Sequence, residues 1–510
     1  MSSDSLPNIH RARPFSAFLA LAGLSALGIA QPLLDLLGKS PQFLTVHHIN
    51  RWDLFFLIVL LTIAPGIILG LMVWLADRIN RPFGKIVFSS VATVLLSILI
   101  GPMIKGVPLP TLIVALTGVL IAFLIVWKIG GNPKLQSFWN FLGLIPLLVA
   151  GLFITQTGPR AILFPHDSGM NDQGMELPPP QSDIPVVFIV FDAFPTNSIM
   201  NENHEIDEVL CPNLASLNND AVWYRNALSI SDDTLLAVPS ILTGLLPIPG
   251  QQPTAAFLPN NLFSWLKPWR TVHSLESHTQ LNSSMVLPSL RDRWGLTTSD
   301  LWIIFQHTVL PKGYTVNLPS ITHDWRNFAK QDASGEKQHV KVPRRLQLFE
   351  DFLESITKER QGDCFFLHTL VPHTPYQFLP SGRRYSTGGK EPSGQGMQFG
   401  KWSMDLQAVV HSQQRLLNQV GYADRLIGEV LTQLKDSGLY QNSLIIFTAD
   451  HGMCFTPGDS RRKLTPSNRG EILPVPLIIK YPASSGGSID DRVVQTIDIM
   501  PTIASVLDSP

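Results

Sequence analysis

The run Val186-Val187-Phe188-Ile189-Val190-Phe191-Asp192 sets six apolar side chains in succession and ends on a carboxylate. Far downstream, Ser443-Leu444-Ile445-Ile446-Phe447-Thr448-Ala449-Asp450-His451-Gly452 has the same design. An apolar run of strand length without alternation reads as a strand covered on both faces, as in parallel sheets sandwiched by helices. Ligands of such sheets sit beyond the carboxyl ends of the strands. Asp192, Asp450 and His451 therefore fall where a metal and its substrate are expected. Around these runs, apolar stretches alternate with helical patterns, as in βαβ units. Strands are expected at Trp269–Leu275, Cys364–Leu370, Ser443–Thr448 and Val475–Lys480. The strongest helix runs from Leu406 to Lys435, with Gly438 as its stop signal. The expected class is α/β, a largely parallel sheet between helices.

The first third of the chain differs in kind. Apolar segments run over Phe15–Leu37, Leu54–Ala76, Ile86–Ile104, Leu109–Ile129 and Phe138–Thr155. About 20 apolar residues cross the hydrocarbon core of a bilayer, so residues 1–155 read as an all-α transmembrane domain of about five helices. The first segment is too long for a signal-peptide core and lacks a clear cleavage site. Arg11, Arg13, Arg78, Arg81, Lys85, Lys128 and Lys134 fall on one side. Lys39, Arg51, Lys105 and Arg160 fall on the other. The richer side faces the cytoplasm by the positive-inside rule. The expectation is a multi-pass protein of the plasma (inner) membrane, with a cytoplasmic N-terminus and an extracytoplasmic outer domain. A Pro-rich linker, 156–182, leads into that domain, 183–510. Ser381–Gly400 reads as a surface loop or lid.

Net charge over the 510 residues is −1 and charged residues are only 15 %, which gives nucleic acid no footprint. The cysteines Cys211, Cys364 and Cys454 form no zinc spacing and read as free buried thiols. Thr234, at the entrance of an apolar helical stretch that Gly244 ends, is placed to meet unpaired backbone N–H groups and a favourable dipole. On this segment alone Thr234 reads first as an N-cap, a role that Asp232 and Asp233 could fill equally well.

The dispersed elements resemble the alkaline phosphatase/sulfatase superfamily, in its membrane-bound branch of lipoteichoic acid synthases and phosphoethanolamine transferases. They are Phe191-Asp192, Cys211-Pro212-Asn213-Leu214, Asn226-Ala227, Ser240 to Pro247, Pro372-His373-Thr374-Pro375, Leu444 to Gly452, Val475 to Pro482 and Asp498 to Thr502. The resemblance implies an alkaline-phosphatase-like fold over residues 183 to 510 with Thr234 as nucleophile. One divalent metal would be held by Asp192, Thr234, Asp450 and His451. Oxygen ligands with one imidazole suit Zn, Mn or Mg, with Ca behind them. His373 would contact substrate oxygens or protonate the leaving group. His368, His278, Lys463 and Arg469 are further substrate-binding candidates. Strand alternation, if continued, sets His368 and His373 on opposite faces. The implied partners are the lipid bilayer and a phosphorylated lipid or glycan. Departures bear on activity. Sulfatases place Cys or Ser at the nucleophile with Pro and Arg following, whereas this chain has Thr234, Leu236 and Val238. Ala193 replaces a second Asp, and Asp192 stands where the membrane transferases have Glu. The chain ends soon after Leu507, as in a shortened form. Phosphoester transfer or hydrolysis is the leading expectation, with sulfate-ester hydrolysis and a non-catalytic ligand-binding domain as alternatives.

Overall fold

The computed structural model describes residues 13–104, 110–130, 139–164, 177–248, 251–276, 278–283, 289–315, 318–319, 321, 328, 344–360, 362–384, 397–398 and 400–508. Most of the expected lid, residues 385–396 and 399, and part of the linker, residues 165–176, lie outside these. The chain forms two units. The first comprises Met1–His166 with Leu287–Ala333, the second Asp167–Val286 with Ser334–Pro510. Residues 183–510 are thus not one body, because a segment from their middle packs with the apolar helices.

Among the described residues, four helices of the first unit are long and apolar enough to cross a membrane: Ser16–Lys39, Arg51–Ile79, Arg81–Ile104 and Thr111–Lys128. The fifth expected span is a broken pair, Trp139–Ile154 and Thr157–Leu163, bent by 89°. Many apolar side chains of these helices point outward, among them Ile68, Leu112, Leu116 and Trp127. That pattern suits a hydrocarbon surround, where an apolar surface carries no hydration penalty.

The second unit is built on a seven-stranded sheet. Its strands are β1 (Val186–Asp192), β2 (Val222–Tyr224), β3 (Val272–Leu275), β4 (Cys364–Pro372), β5 (Leu444–Ala449), β6 (Leu477–Lys480) and β7 (Ser488–Asp490). Their order is β7-β2-β6-β5-β1-β4-β3. Strands β3, β4, β1 and β5 are parallel neighbours, whereas β6 runs antiparallel to both β5 and β2. β3 and β6 begin later than the sequence pattern suggests.

Every residue of β1 is buried, because both faces are covered. Val187, Ile189 and Phe191 join a cluster with Phe352, Val420, Ile427 and Val430 beneath the helices Arg344–Ser355 and Leu406–Asp436. Val186, Phe188 and Val190 face Val238, Ile241 and Leu242 of the helix Thr234–Thr243, and Ile499 and Ile503 of the helix Ile499–Val506. Each such buried side chain contributes about 1.5–3 kcal/mol. A one-residue slip of β1 would exchange the two sets, so the register is fixed. Asn213 and Leu214 are fastened by Asp424 of the long helix. Its carboxylate accepts from Asn213 N at 3.1 Å, Asn213 Nδ2 at 2.8 Å and Leu214 N at 2.8 Å. The three cysteines are free and buried, and burial raises the Cys364 thiol to about 12.

Candidate functional site

β1 and β5 are parallel neighbours in register, Val186 opposite Leu444 and Phe191 opposite Ala449. Their carboxylates therefore leave the sheet at the same edge. Asp450 N donates to Phe191 O at 3.0 Å, and Phe194 N to His451 O at 2.9 Å. Asp450 Oδ1 accepts from Ala193 N at 3.0 Å and His451 N at 2.7 Å. Ala193 takes φ 58°, the left-handed turn that folds its N–H back onto that carboxylate. Gly452 follows for a steric reason. A Cβ there would stand 2.4 Å from Glu471 O, and its N–H bonds Ile472 O at 2.6 Å.

Asp192, Asp450 and His451 are all buried, and one ligand atom from each lies within 4.8 Å of the others. His451 Nδ1 bonds Gly452 O at 2.8 Å. A carbonyl accepts only, so Nδ1 carries the proton and Nε2 presents its lone pair. Nε2 is buried without a hydrogen-bond partner among the described residues, 3.6 Å from Asp450 Oδ2 and 3.8 Å from Asp192 Oδ1. Two ligands each about 2.1 Å from one ion stand roughly 3.0–3.4 Å apart, so a small contraction would seat a cation. Burial and then Arg462 lower the His451 pKa, with Asp450 opposing, and the ring stays neutral. Burial pushes Asp450 up, but His451, His368, the Thr234 hydroxyl and Arg462 together bring it below the usual carboxylate range. A neutral imidazole beside ionised carboxylates is the state a divalent ion requires.

Thr234 opens its helix, but it is not the cap. Asp233 is, accepting from Leu235 N at 3.0 Å, which leaves the Thr234 hydroxyl for other work. Arg462 Nη2 donates to Thr234 Oγ1 at 2.9 Å, and Arg462 Nε to Asp232 O at 3.0 Å. Leu464 N also donates to Asp232 Oδ2, so the segment after β5 is stitched to the loop before Thr234. Lys463 and Arg469, the cations singled out from sequence, are exposed. Those that reach the site are Arg462 and its neighbour Arg461, whose Nη1 donates to Thr374 Oγ1 at 3.1 Å.

His368 and His373 do not obey simple alternation. β4 is in register with β1 up to Thr369, opposite Phe191, and then slips so that Pro372 faces Asp192. The extra residues end the alternation between the two histidines. His368 is fully buried. Its pKa falls to about 4, lowered by burial and by His451 against the pull of Asp450. The His278 ring meets it edge-on at 6.2 Å. The His278 loop wraps Glu276, which accepts from Thr279 Oγ1 at 2.6 Å, Leu281 N at 2.9 Å and Asn282 N at 2.9 Å. His373 Nδ1 donates to Thr374 O at 2.7 Å. Burial, then Arg461 and Arg462, hold its pKa well below the ordinary histidine range. Gln419, buried on the long helix, sets this turn. Its Nε2 donates to His373 O and Pro375 O, both at 3.1 Å, and its Oε1 accepts from Gln377 N and Phe378 N.

A family model described as Sulfatase matches residues 185–509. Among curated proteins, the chain is similar to an endo-4-O-sulfatase of Bacteroides thetaiotaomicron, 36 % identical over 84 residues, 16 % of this chain and 16 % of that one. It is also similar to lipoteichoic acid synthase of Staphylococcus aureus, 34 % identical over 88 residues, 16 % of this chain and 14 % of that one. The aligned stretches thus span only a small part of either relative. Among solved structures, a phosphonate monoester hydrolase from Silicibacter pomeroyi aligns over 64 % of this chain and 74 % of its own at 17 % identity, with a TM-score of 0.43.

Proposed function

The chain belongs to the sulfatase family, and from that premise we propose a membrane-anchored, metal-dependent enzyme that cleaves or transfers a phosphoester through Thr234. A lipid headgroup or an envelope-glycan substituent is the proposed substrate, because candidate membrane spans precede the outer unit. The observation that carries the reading is the buried His451 Nε2, beside two carboxylates and without a hydrogen-bond partner among the described residues. Asp192, Asp450, His451 and the Thr234 oxygen would hold one Zn, Mn or Mg. When bound, that ion would supply the positive charge that makes the Thr234 hydroxyl acidic and offsets phosphoryl charge.

The remaining steps belong to the chain. Thr234 Oγ1 gives up its proton and bonds to phosphorus, forming a phospho-threonine as the P–O bond to the leaving group breaks, and the departing oxygen takes up that proton and leaves as an alcohol. Arg462, already 2.9 Å from Oγ1, stabilises the developing charge on that oxygen. His373 holds its proton on Nδ1 against Thr374 O. In its neutral state it acts as a proton acceptor through Nε2, drawing the proton from incoming water or acceptor alcohol.

Sulfate-ester hydrolysis is the second reading, favoured by the endo-4-O-sulfatase similarity. Threonine cannot become the formylglycine that sulfatases use, which weighs against it. Parallel assays on aryl phosphodiester and aryl sulfate with added divalent metals separate the two. Turnover of the phosphodiester alone supports the proposal. Turnover of the sulfate alone overturns it, and a metal-free protein inert on both would be a binding domain.

A further inference from the structure

The segment Leu287–Ala333 leaves the outer unit and joins the apolar bundle. Its helix Leu290–Val309 buries Leu301, Ile303, Ile304 and Phe305 in one apolar cluster with Leu33, Leu37, Phe43, Leu54 and Phe153. Two polar fastenings set its place. Asp300 Oδ2 meets His47 Nε2 at 3.0 Å, both side chains fully buried, while Asp300 Oδ1 accepts from Phe328 N at 2.8 Å. Arg293 Nη1 reaches Asp53 Oδ2 at 2.8 Å and His48 O at 2.7 Å, and Trp294 Nε1 donates to Asp53 Oδ1 at 3.1 Å. His47, His48 and Asp53 lie in or beside the connection between the spans Ser16–Lys39 and Arg51–Ile79. At its far end, Val309 O comes within 3.3 Å of a Cβ built on Gly101, near the close of the span Arg81–Ile104. The helix therefore crosses the ends of three spans at one end of the bundle.

Among the described residues, its other face carries Arg291, Gly295, Thr298 and Trp302, all exposed. Leu290 is 62 % and Trp302 59 % exposed, and Trp302 stacks on Phe305 at 5.8 Å. Trp52, at the start of the second span, is 69 % exposed, and Tyr314 lies exposed just beyond the helix. Trp294 also meets Phe56 of that span edge-on at 5.2 Å. Exposed Trp and Tyr at the ends of spans are the side chains that settle at the membrane–water interface. The outward face joins Trp302 to the polar Arg291 and Thr298, a mixed surface that suits the headgroup layer while the apolar face packs on the spans.

We infer that the helix Leu290–Val309 is a membrane-interface element, seated at headgroup depth with Trp302 and Leu290 in the bilayer. It rests on the reading that the first-unit helices cross the membrane. The occupant of its exposed face is the lipid surface, continuous with the lipid-facing sides of the spans it crosses. Through it, the stretch of chain between β3 and β4 is held at the bilayer.

The test is site-directed spin labelling of the full chain in phosphatidylethanolamine/phosphatidylglycerol vesicles. The native cysteines are buried, so labels go to Trp302→Cys, Ile68→Cys in a span, and Val209→Cys, which is 93 % exposed in the outer unit. The inference expects the oxygen-to-nickel-chelate accessibility ratio at 302 to lie between those at 68 and 209, severalfold above 209. A ratio at 302 equal to that at 209, with 68 still lipid-like, overturns the inference and leaves the spans intact. A water-like ratio at 68 overturns the membrane reading itself. Dipolar broadening at 302 that persists in detergent marks contact with a second copy and also overturns it. Should Trp302→Cys fail to fold, Thr298→Cys, exposed one turn earlier, reads the same face.

Discussion

Each unit buries a histidine beside an aspartate, and the two pairs are finished differently. In the bundle unit, His47 uses both ring nitrogens: Nδ1 against Phe43 O at 2.9 Å and Nε2 against Asp300 at 3.0 Å. In the second unit, His451 uses Nδ1 alone, and Nε2 faces two carboxylates with no hydrogen-bond partner among the described residues. A buried polar atom left open is costly unless something else satisfies it. The first pair is a closed structural fastening. The second has the donor set of a metal site. Burial and chemistry are alike in both, so the difference lies in the orphaned lone pair.

The strongest way to break this comparison is Thr234→Ala. Loss of the nucleophile should lower phosphodiester turnover by at least roughly 10³-fold, with circular dichroism and thermal midpoint unchanged. Next is the pair His451→Ala and His47→Ala. The first should lose bound metal. The second should keep it but unfold more easily by about 3 kcal/mol, because Asp300 would be left buried without its partner. Metal loss in the His47 variant would erase the distinction. Arg462→Ala should cost about 10²-fold in kcat/KM, the scale of one preorganised donor, while Lys463→Ala should change it less than about twofold. Equal losses in both would return the role to the exposed lysine.

A smaller effect concerns pH. His368 has a folded pKa near 4, below the unfolded value near 6.5. The unfolded chain then binds more protons between those values, so stability falls as pH drops from about 6.5 towards 4 and levels off below. Complete burial permits up to about 3 kcal/mol from this group. His368→Asn should flatten that part of the melting-temperature profile of chelator-treated protein. An unchanged profile would remove His368 as its source.

How much of this could be read from sequence varies with the kind of information required. β1 and β5 announce themselves because burial on both faces leaves no alternation, and their terminal acids follow. Gly452 belongs to the same signal, since its neighbours leave no room for a Cβ. The proposed role of Thr234 rests on the family resemblance, because a hydroxyl at a helix entrance looks like a cap until Asp233 is seen to fill that role. Arg462 was not distinguishable within Arg461-Arg462-Lys463, where three adjacent cations differ only in direction. Gln419 sits in a helix whose pattern explains its burial but not its grip on the His373 turn. The Leu290–Val309 helix was hidden for a related reason. Its apolar face is ordinary, and nothing local shows that it packs on distant helices.

Elemental analysis of the purified full chain, wild type beside His451→Ala, tests the central claim most directly. The account predicts close to one tightly held divalent ion per chain in the wild type and its loss in the variant. A wild-type protein that turns over phosphodiester with no metal, or a variant that keeps its ion in full, would contradict it.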